Sequence, residues 1–188
     1  MTLRKFVGLF QFGVLDLVTG AFIAHLLHSV FYGGRAPLWM YAFGAAVAVL
    51  PDFDILLALS RKKELDLKHR DTLFHQPLLA AATPGIILAF ISPFWALLWL
   101  LPLIWHYLHD TVGESMGVQW LYPLSNLKFA VYDVDKKGRR VLFAAHAVDY
   151  PGMTLDEALE KKFYRLTLTS IIEAILPLIL LMIIALTW

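Results

Sequence analysis

Seven side chains of metal-binding type stand out in this chain of 188 residues. They are Asp16, Asp52, Asp54, His69, His75, His106 and Asp110, each at or near one end of an apolar stretch. His106 and Asp110 are four apart, so on a helix both project from one face. An imidazole and a carboxylate at that spacing can grip one divalent cation. Asp52 and Asp54 follow Pro51 and point in different directions on an ideal helix, unless Pro51 loosens the turn enough for both to bind. His69 and His75 flank a short polar connection, and Asp16 interrupts the first apolar run. A carboxylate near the middle of a bilayer costs roughly 2.5–3.5 kcal/mol, so four aspartates together cost on the order of 10 kcal/mol. A structural metal returns ~10–16 kcal/mol of apparent binding energy. A shared metal site is therefore the sharpest reading of these residues.

The elements that must position them read as membrane helices. The chain is 59% hydrophobic and 16% charged, against about 45–50% and about 25% in soluble domains. Its length suits one all-α integral membrane domain, residues 1–188, of about five transmembrane helices, since each span takes ~20 mostly apolar residues. The absence of cysteine removes disulfides, thiolate metal sites and iron–sulfur clusters together. Five apolar stretches run from about Phe6 to Phe31, Leu38 to Leu59, His75 to Ile91 and Phe94 to Val112, and, after an amphipathic start near Thr154, from Ile171 to Trp188. Turns are expected at Tyr32–Pro37 and Ser92–Pro93, and Pro177 is expected to kink the last helix. Arg4 and Lys5 before the first run resemble a signal peptide. However, Asp16 breaks that run and no small-x-small cleavage site follows cleanly, so it reads as a retained helix.

Placing the amino terminus in the cytoplasm puts every Lys and Arg except Arg35 on the inner side, 15 of 16, as the positive-inside rule requires. Residues 113–168 then form a cytoplasmic insertion between helices four and five. Within it, β-prone runs over Phe129–Val134 and Val141–Ala145 predict a small hairpin, and Thr154 with Glu157 matches a capping box. The basic cluster from Lys136 to Arg140 suits anionic lipid headgroups, and nothing suggests nucleic-acid recognition. Gly113 and Gly117 match GxxxG but lie outside an apolar helix. The topology draws the seven candidate ligands toward the cytoplasmic half of one bundle.

The order of these motifs resembles a bacterial inner-membrane family of metal-dependent hydrolases, the YdjM type. The similarity rests on Asp52-Phe53-Asp54 after Pro51, on His69-Arg70…His75, and on His106…Asp110 leading into Gly117–Pro123. It covers roughly residues 16–125. In that family an early His falls where this chain has Asp16, and a His closing the Pro-Asp-x-Asp motif falls where it has Ile55. The two histidines of the His-Arg segment are six apart here instead of five. The resemblance implies metal-dependent hydrolysis, and the family's His/Asp pattern is similar to zinc-dependent phospholipase C, which implies phosphoester substrates.

Each reading has a bland counterpart. His106 and Asp110 also suit a hydrogen-bonded pair between helices, and Asp52 and Asp54 a solvated helix end. His69 and His75 suit an interface, and Asp16 an ion pair elsewhere. Glu114, four beyond Asp110, could act as general base toward a metal-activated water, or stand as a solvated loop glutamate. Arg70 could neutralise a substrate phosphate, or anchor at the membrane surface. His25 and His28 fall toward the outer end of the first helix and read as structural; His109 points about 100° away from Asp110 and is set aside. The expectation is an inner-membrane hydrolase with one or two divalent ions, zinc first and manganese as the alternative. Its substrate would be a lipid or phosphoester at the cytoplasmic side, with membrane lipids as its surroundings. The rival readings are an ion-coupled transporter, whose inverted repeats are not visible, and a non-catalytic membrane scaffold. A bis-histidine haem protein is disfavoured, because His25 and His28 lie at the opposite depth from His106.

Overall fold

A computed structural model of the protein describes residues 3–53, 72–112, 117–134, 140–146 and 168–187. The first apolar run forms helix α1 (Leu3–Tyr32). It gives way at Gly33 and Gly34, whose φ angles of 69° and 67° belong to the left-handed region that glycine enters without a Cβ penalty. Pro37 then leads into α2 (Leu38–Ala48). This helix ends at Ala48, ahead of the interruption expected at Pro51, and the stretch from Asp54 to Leu59 lies outside the described residues. Pro51 has no N–H to give the Val47 carbonyl, and the chain tightens into a 3₁₀ turn over Leu50–Asp52.

The chain returns in a second 3₁₀ turn, Leu73–His75, and a π-helical turn, Leu78–Ala82, that runs into α3 (Thr83–Ile91). Pro84 cannot donate to the carbonyl of Ala80; the Trp99 indole donates to it instead, at 3.2 Å. Helix α4 (Pro93–Val112) runs through Pro102 and α5 (Leu168–Thr187) through Pro177. The expected hairpin is present as β1 (Lys128–Val134) and β2 (Arg140–His146), antiparallel with Lys128 opposite His146 and Val134 opposite Arg140. The capping pair Thr154 and Glu157 lies outside the described residues.

Successive helices alternate in direction. Phe94 at the start of α4 packs its ring against Phe31 and Tyr32 at the end of α1, while His106, near the other end of α4, meets Asp16. Gly85 of α3 faces Leu100 of α4. Helix α5 runs alongside α1 in the same sense, with Glu173 at the His109 end and Thr187 against His25. Among the described residues, two buried apolar clusters fill the interior. One centres on Ala24, Leu27, Met40, Phe94 and Leu98. The other, on Val47, Ala81, Leu103, Tyr107 and Val118, lies toward the ionisable residues.

Helices α1 and α2 approach closely. A methyl group on Gly20 would run into the Gly44 carbonyl and stand 2.6 Å from the Ala48 Cβ; one on Gly44 would run into the Gly20 carbonyl and stand 2.8 Å from the Ala24 Cβ. Gly20-x-x-x-Ala24 thus packs on Gly44-x-x-x-Ala48, the small-residue contact that lets membrane helices touch backbone to backbone. Asp16 lies one turn before Gly20 and Asp52 one turn after Ala48. The antiparallel crossing therefore brings both aspartates to the same end of the bundle.

The outer faces are apolar. Ile86, Ile87, Phe90 and Ile91 of α3 and Leu178, Leu181, Met182 and Leu186 of α5 are all exposed. By length and composition, one helix among the described residues, over Gly13–Tyr32, is long and apolar enough to cross a membrane. The segments Leu38–Ala48, Leu78–Ile91 and Ile171–Thr187 are shorter apolar helices. Five helices are therefore present among the described residues, one of them long and apolar enough to cross a membrane. Pro51 truncates α2 to about 16 Å, and α4 carries His106, His109 and Asp110 in its last two turns. Gly20→Leu should open the α1–α2 contact and destabilise the protein by about 1–3 kcal/mol or more. Gly13→Ala, with nothing within 4 Å of its added Cβ, should be tolerated; detergent-resolved thermal unfolding of the two variants checks the contrast.

Candidate metal centre

Three segments deliver side chains to one point. Helix α4 presents His106 and Asp110 from one face, with His106 Nε2 3.6 Å from Asp110 Oδ2. The 3₁₀ turn that ends α2 presents Asp52, whose Oδ1 lies 3.7 Å from His106 Nε2 and 3.6 Å from His75 Nε2. The 3₁₀ turn before α3 presents His75, whose Nε2 lies 3.7 Å from Asp110 Oδ2. One ligand atom each from Asp52, His75 and His106 fall within 4.8 Å of one another, and the two imidazole rings stand 5.8 Å apart at 62°. These N···O separations are too long for hydrogen bonds. Donor atoms sharing an ion at about 2.1 Å stand about 3.0–3.6 Å apart across angles of 90–120°. Asp52, His75 and His106 could therefore hold a divalent ion if their donor atoms, now within 4.8 Å of one another, draw closer. His106 Nε2 is buried with no hydrogen-bond partner among the described residues, as a metal-facing imidazole nitrogen would be.

Local structure fixes each donor. The His75 backbone N–H donates to the Thr72 carbonyl at 3.0 Å, and the buried Tyr107 hydroxyl donates to the Phe74 carbonyl at 2.8 Å. Tyr107 follows His106 on α4, so the helix that carries one imidazole also clamps the turn that carries the other. The far end of α4 is held in turn. Trp120 donates from its indole to Thr111 Oγ1 at 2.8 Å, and Val118 exchanges backbone hydrogen bonds with Phe129 of β1 at 3.0 and 2.9 Å. Gly117 makes that approach possible, with φ 73° and no Cβ to strike the Phe129 carbonyl. The hairpin thus packs its base against the site-bearing helix.

Asp16 lies behind the cluster. Its Oδ2 is 3.3 Å from Nδ1 of His106, the ring nitrogen opposite the one that faces Asp52 and Asp110. Its Oδ1 accepts from the Trp105 indole at 2.9 Å, and His109 Nδ1 lies 3.2 and 3.3 Å from its two oxygens. His109 continues through Nε2 to Glu173 Oε1 of α5 at 3.3 Å. A carboxylate on the outer nitrogen of a ligating imidazole sets its tautomer and orientation, and Asp16 stands in that position.

Of the seven candidate ligands, Asp16, Asp52, His75, His106 and Asp110 belong to one connected cluster. Asp54 and His69 lie outside the described residues, as do Arg70 and Glu114. The histidines on the cluster are buried, while the Asp52 side chain keeps 31% of its surface exposed. The open edge is therefore on that side, beside exposed Phe53 and Leu73. His25 belongs elsewhere. Nine residues along α1 from Asp16, about 14 Å away, it bonds through Nδ1 to the Tyr41 hydroxyl at 2.8 Å and through Nε2 to Thr187 Oγ1 at 2.9 Å.

Sequence reading passed over His109, Trp105, Tyr107 and Glu173. His109 was compared with Asp110, one residue away. Its spacing of three from His106 places those two rings on adjoining parts of one helix face, where a single carboxylate reaches both. Glu173 is a lone ionisable residue in the apolar run of α5, a position where function is the default expectation.

These features define a helical membrane-type bundle with a buried imidazole and carboxylate cluster at one end. The family described as YdjM inner membrane protein matches residues 14–188, and the chain belongs to that family. No curated protein and no solved structure matches it. Tyr107→Phe removes the donor to the Phe74 carbonyl, leaving that acceptor buried and unsatisfied. It should lower stability by about 1–3 kcal/mol and loosen the His75 turn, which faster hydrogen exchange at the His75 and Gln76 amides would register.

Proposed function

We propose that this protein is a multi-pass inner-membrane hydrolase that depends on a divalent metal and acts on a lipid-borne phosphoester at the cytoplasmic side. The observation that carries this reading is the ring of four donors, His75 Nε2, Asp52 Oδ1, His106 Nε2 and Asp110 Oδ2, with successive separations of 3.6–3.7 Å. Two carboxylates facing each other across two imidazoles in an apolar bundle are an expensive arrangement without a cation to neutralise them. A mixed imidazole and carboxylate set suits zinc or manganese better than magnesium or calcium. A divalent ion held there would acidify a bound water and polarise a phosphoryl or acyl oxygen.

The chain's own residues would do the rest. Asp16 holds His106 in the orientation that turns Nε2 toward the cluster. The partly exposed Asp52 edge admits substrate, and Phe53 and Leu73 beside it offer apolar contact to an acyl chain. Glu114, four residues past Asp110, is the assigned general base, and Arg70 the assigned counter-charge for a phosphate. Membrane embedding is supported by the family and by the apolar outer faces of α3 and α5. The amino terminus is assigned to the cytoplasm by the distribution of Lys and Arg.

The purified protein should carry about one equivalent of zinc or manganese by elemental analysis and hydrolyse members of a lipid phosphoester panel. His106→Ala, His75→Ala and Asp52→Ala should each remove the metal, and with it turnover. A fully folded wild-type protein that holds no metal after incubation with zinc and manganese would sink the reading. Because imidazole must be neutral to bind, metal affinity should rise with pH through the histidine range and fall in acid. A pH-independent affinity between pH 5 and 8 would count against histidine ligation.

A further inference from the structure

We infer that the carboxyl-terminal helix is part of the support of the metal centre, and that Glu173 is a positioning residue acting on His106 through His109 and Asp16. This rests on the metal reading above and deepens it. The path is continuous. Glu173 Oε1 lies 3.3 Å from His109 Nε2, His109 Nδ1 lies 3.2 Å from Asp16 Oδ1, and Asp16 Oδ2 lies 3.3 Å from His106 Nδ1. Every link connects side chains of different helices, α5 to α4, α4 to α1, and α1 back to α4.

Geometry gives Glu173 this role. Asp16 carries hydrogen bonds to Trp105 and His109 and an ion-pair contact at 3.3 Å with His106 Nδ1, so the angle of its carboxylate is set by where those three groups stand. Trp105 and His106 are neighbours on α4, and a tilt of the carboxylate toward one withdraws it from the other. The His109 ring stacks on the Trp105 ring, with centroids 6.4 Å apart and planes at 23°. Its free rotation about χ2 is stopped at the far side by Glu173. With Glu173 in place, His109 keeps Nδ1 on Asp16 and Asp16 keeps Oδ2 on His106. Without it, His109 loses the contact at Nε2 that helps keep Nδ1 on Asp16.

Helix α5 is also tied to α1 at its other end, where Thr187 Oγ1 meets His25 Nε2 at 2.9 Å, well away from the cluster. The two anchors separate the effect of holding α5 in place from the effect of Glu173 on the metal centre.

The test uses the full chain in nanodiscs, titrated with Co(II) and then with zinc in competition, with the visible cobalt spectrum as a report on ligand geometry. Glu173→Leu should weaken cobalt affinity about tenfold or more, the lower end of outer-partner losses at metal sites, and shift the visible bands. Glu173→Gln, whose amide oxygen still accepts from His109, should stay within about threefold of wild type. Thr187→Val should lower thermal stability and leave affinity within about threefold. If Glu173→Leu does not fold, Glu173→Asp, which withdraws the carboxylate by one methylene, should give the same change of spectrum at smaller size. Wild type that binds cobalt alongside an equally tight, spectrally identical Glu173→Leu or Glu173→Asp would overturn this inference alone. Equal losses in Thr187→Val and Glu173→Leu would also overturn it, because α5 would then act only by its presence. Wild type that binds no cobalt overturns the metal reading and this inference with it.

Discussion

Inside this bundle carboxylates are buried against imidazoles contributed by other segments, and the fold depends on that matching. Asp16 of α1 meets His106 and His109 of α4, and Glu173 of α5 meets His109 from the other side. A charge taken out of water without a partner costs several kcal/mol even after relaxation. The three helices can bury these positions only against one another, in one rotation and at one height. Close packing of apolar and small residues holds the helices together, and the ionisable groups add direction.

The apolar part of the structure makes that matching reachable. The glycine contact between α1 and α2 sets their axes close, and its position along both helices decides that Asp16 and Asp52 finish at the same level. Prolines interrupt the ladders where donors are needed. Pro51 turns the end of α2 into the short element that carries Asp52, and Pro84 frees a carbonyl that Trp99 fills. Aromatic donors recur as ties at these breaks, with Tyr107 on the Phe74 carbonyl and Trp120 on Thr111. Their large apolar bodies pack in the core while a single polar atom closes a backbone or hydroxyl gap.

The cluster is graded from inside to outside. Asp16, His109 and Glu173 form a layer behind His106, while the half-buried Asp52 forms the more exposed edge. That grading suits a site in which the inner groups hold geometry and the outer ones meet what arrives.

Much of this was legible in the sequence. The composition, the five apolar stretches, the hairpin strands and the facing of His106 and Asp110 follow from periodicity and spacing, because helical geometry relates residues three or four apart. The small-residue pairs Gly20/Ala24 and Gly44/Ala48 were also there to be read as a crossing, and the lone Glu173 as a buried charge with a partner. What spacing could not decide is which ring nitrogen faces which oxygen, or that Asp16 stands behind His106. Those facts depend on the relative rotation of helices far apart in the chain. That rotation is fixed by the pairing of buried ionisable groups together with the packing of whole faces, with glycine backbones in contact and aromatic rings filling the gaps. The sequence by itself determined which groups were available and on which helix face each would lie; only the tertiary packing decided how those faces met, because contacts between helices are set by the summed fit of many side chains rather than by any local pattern.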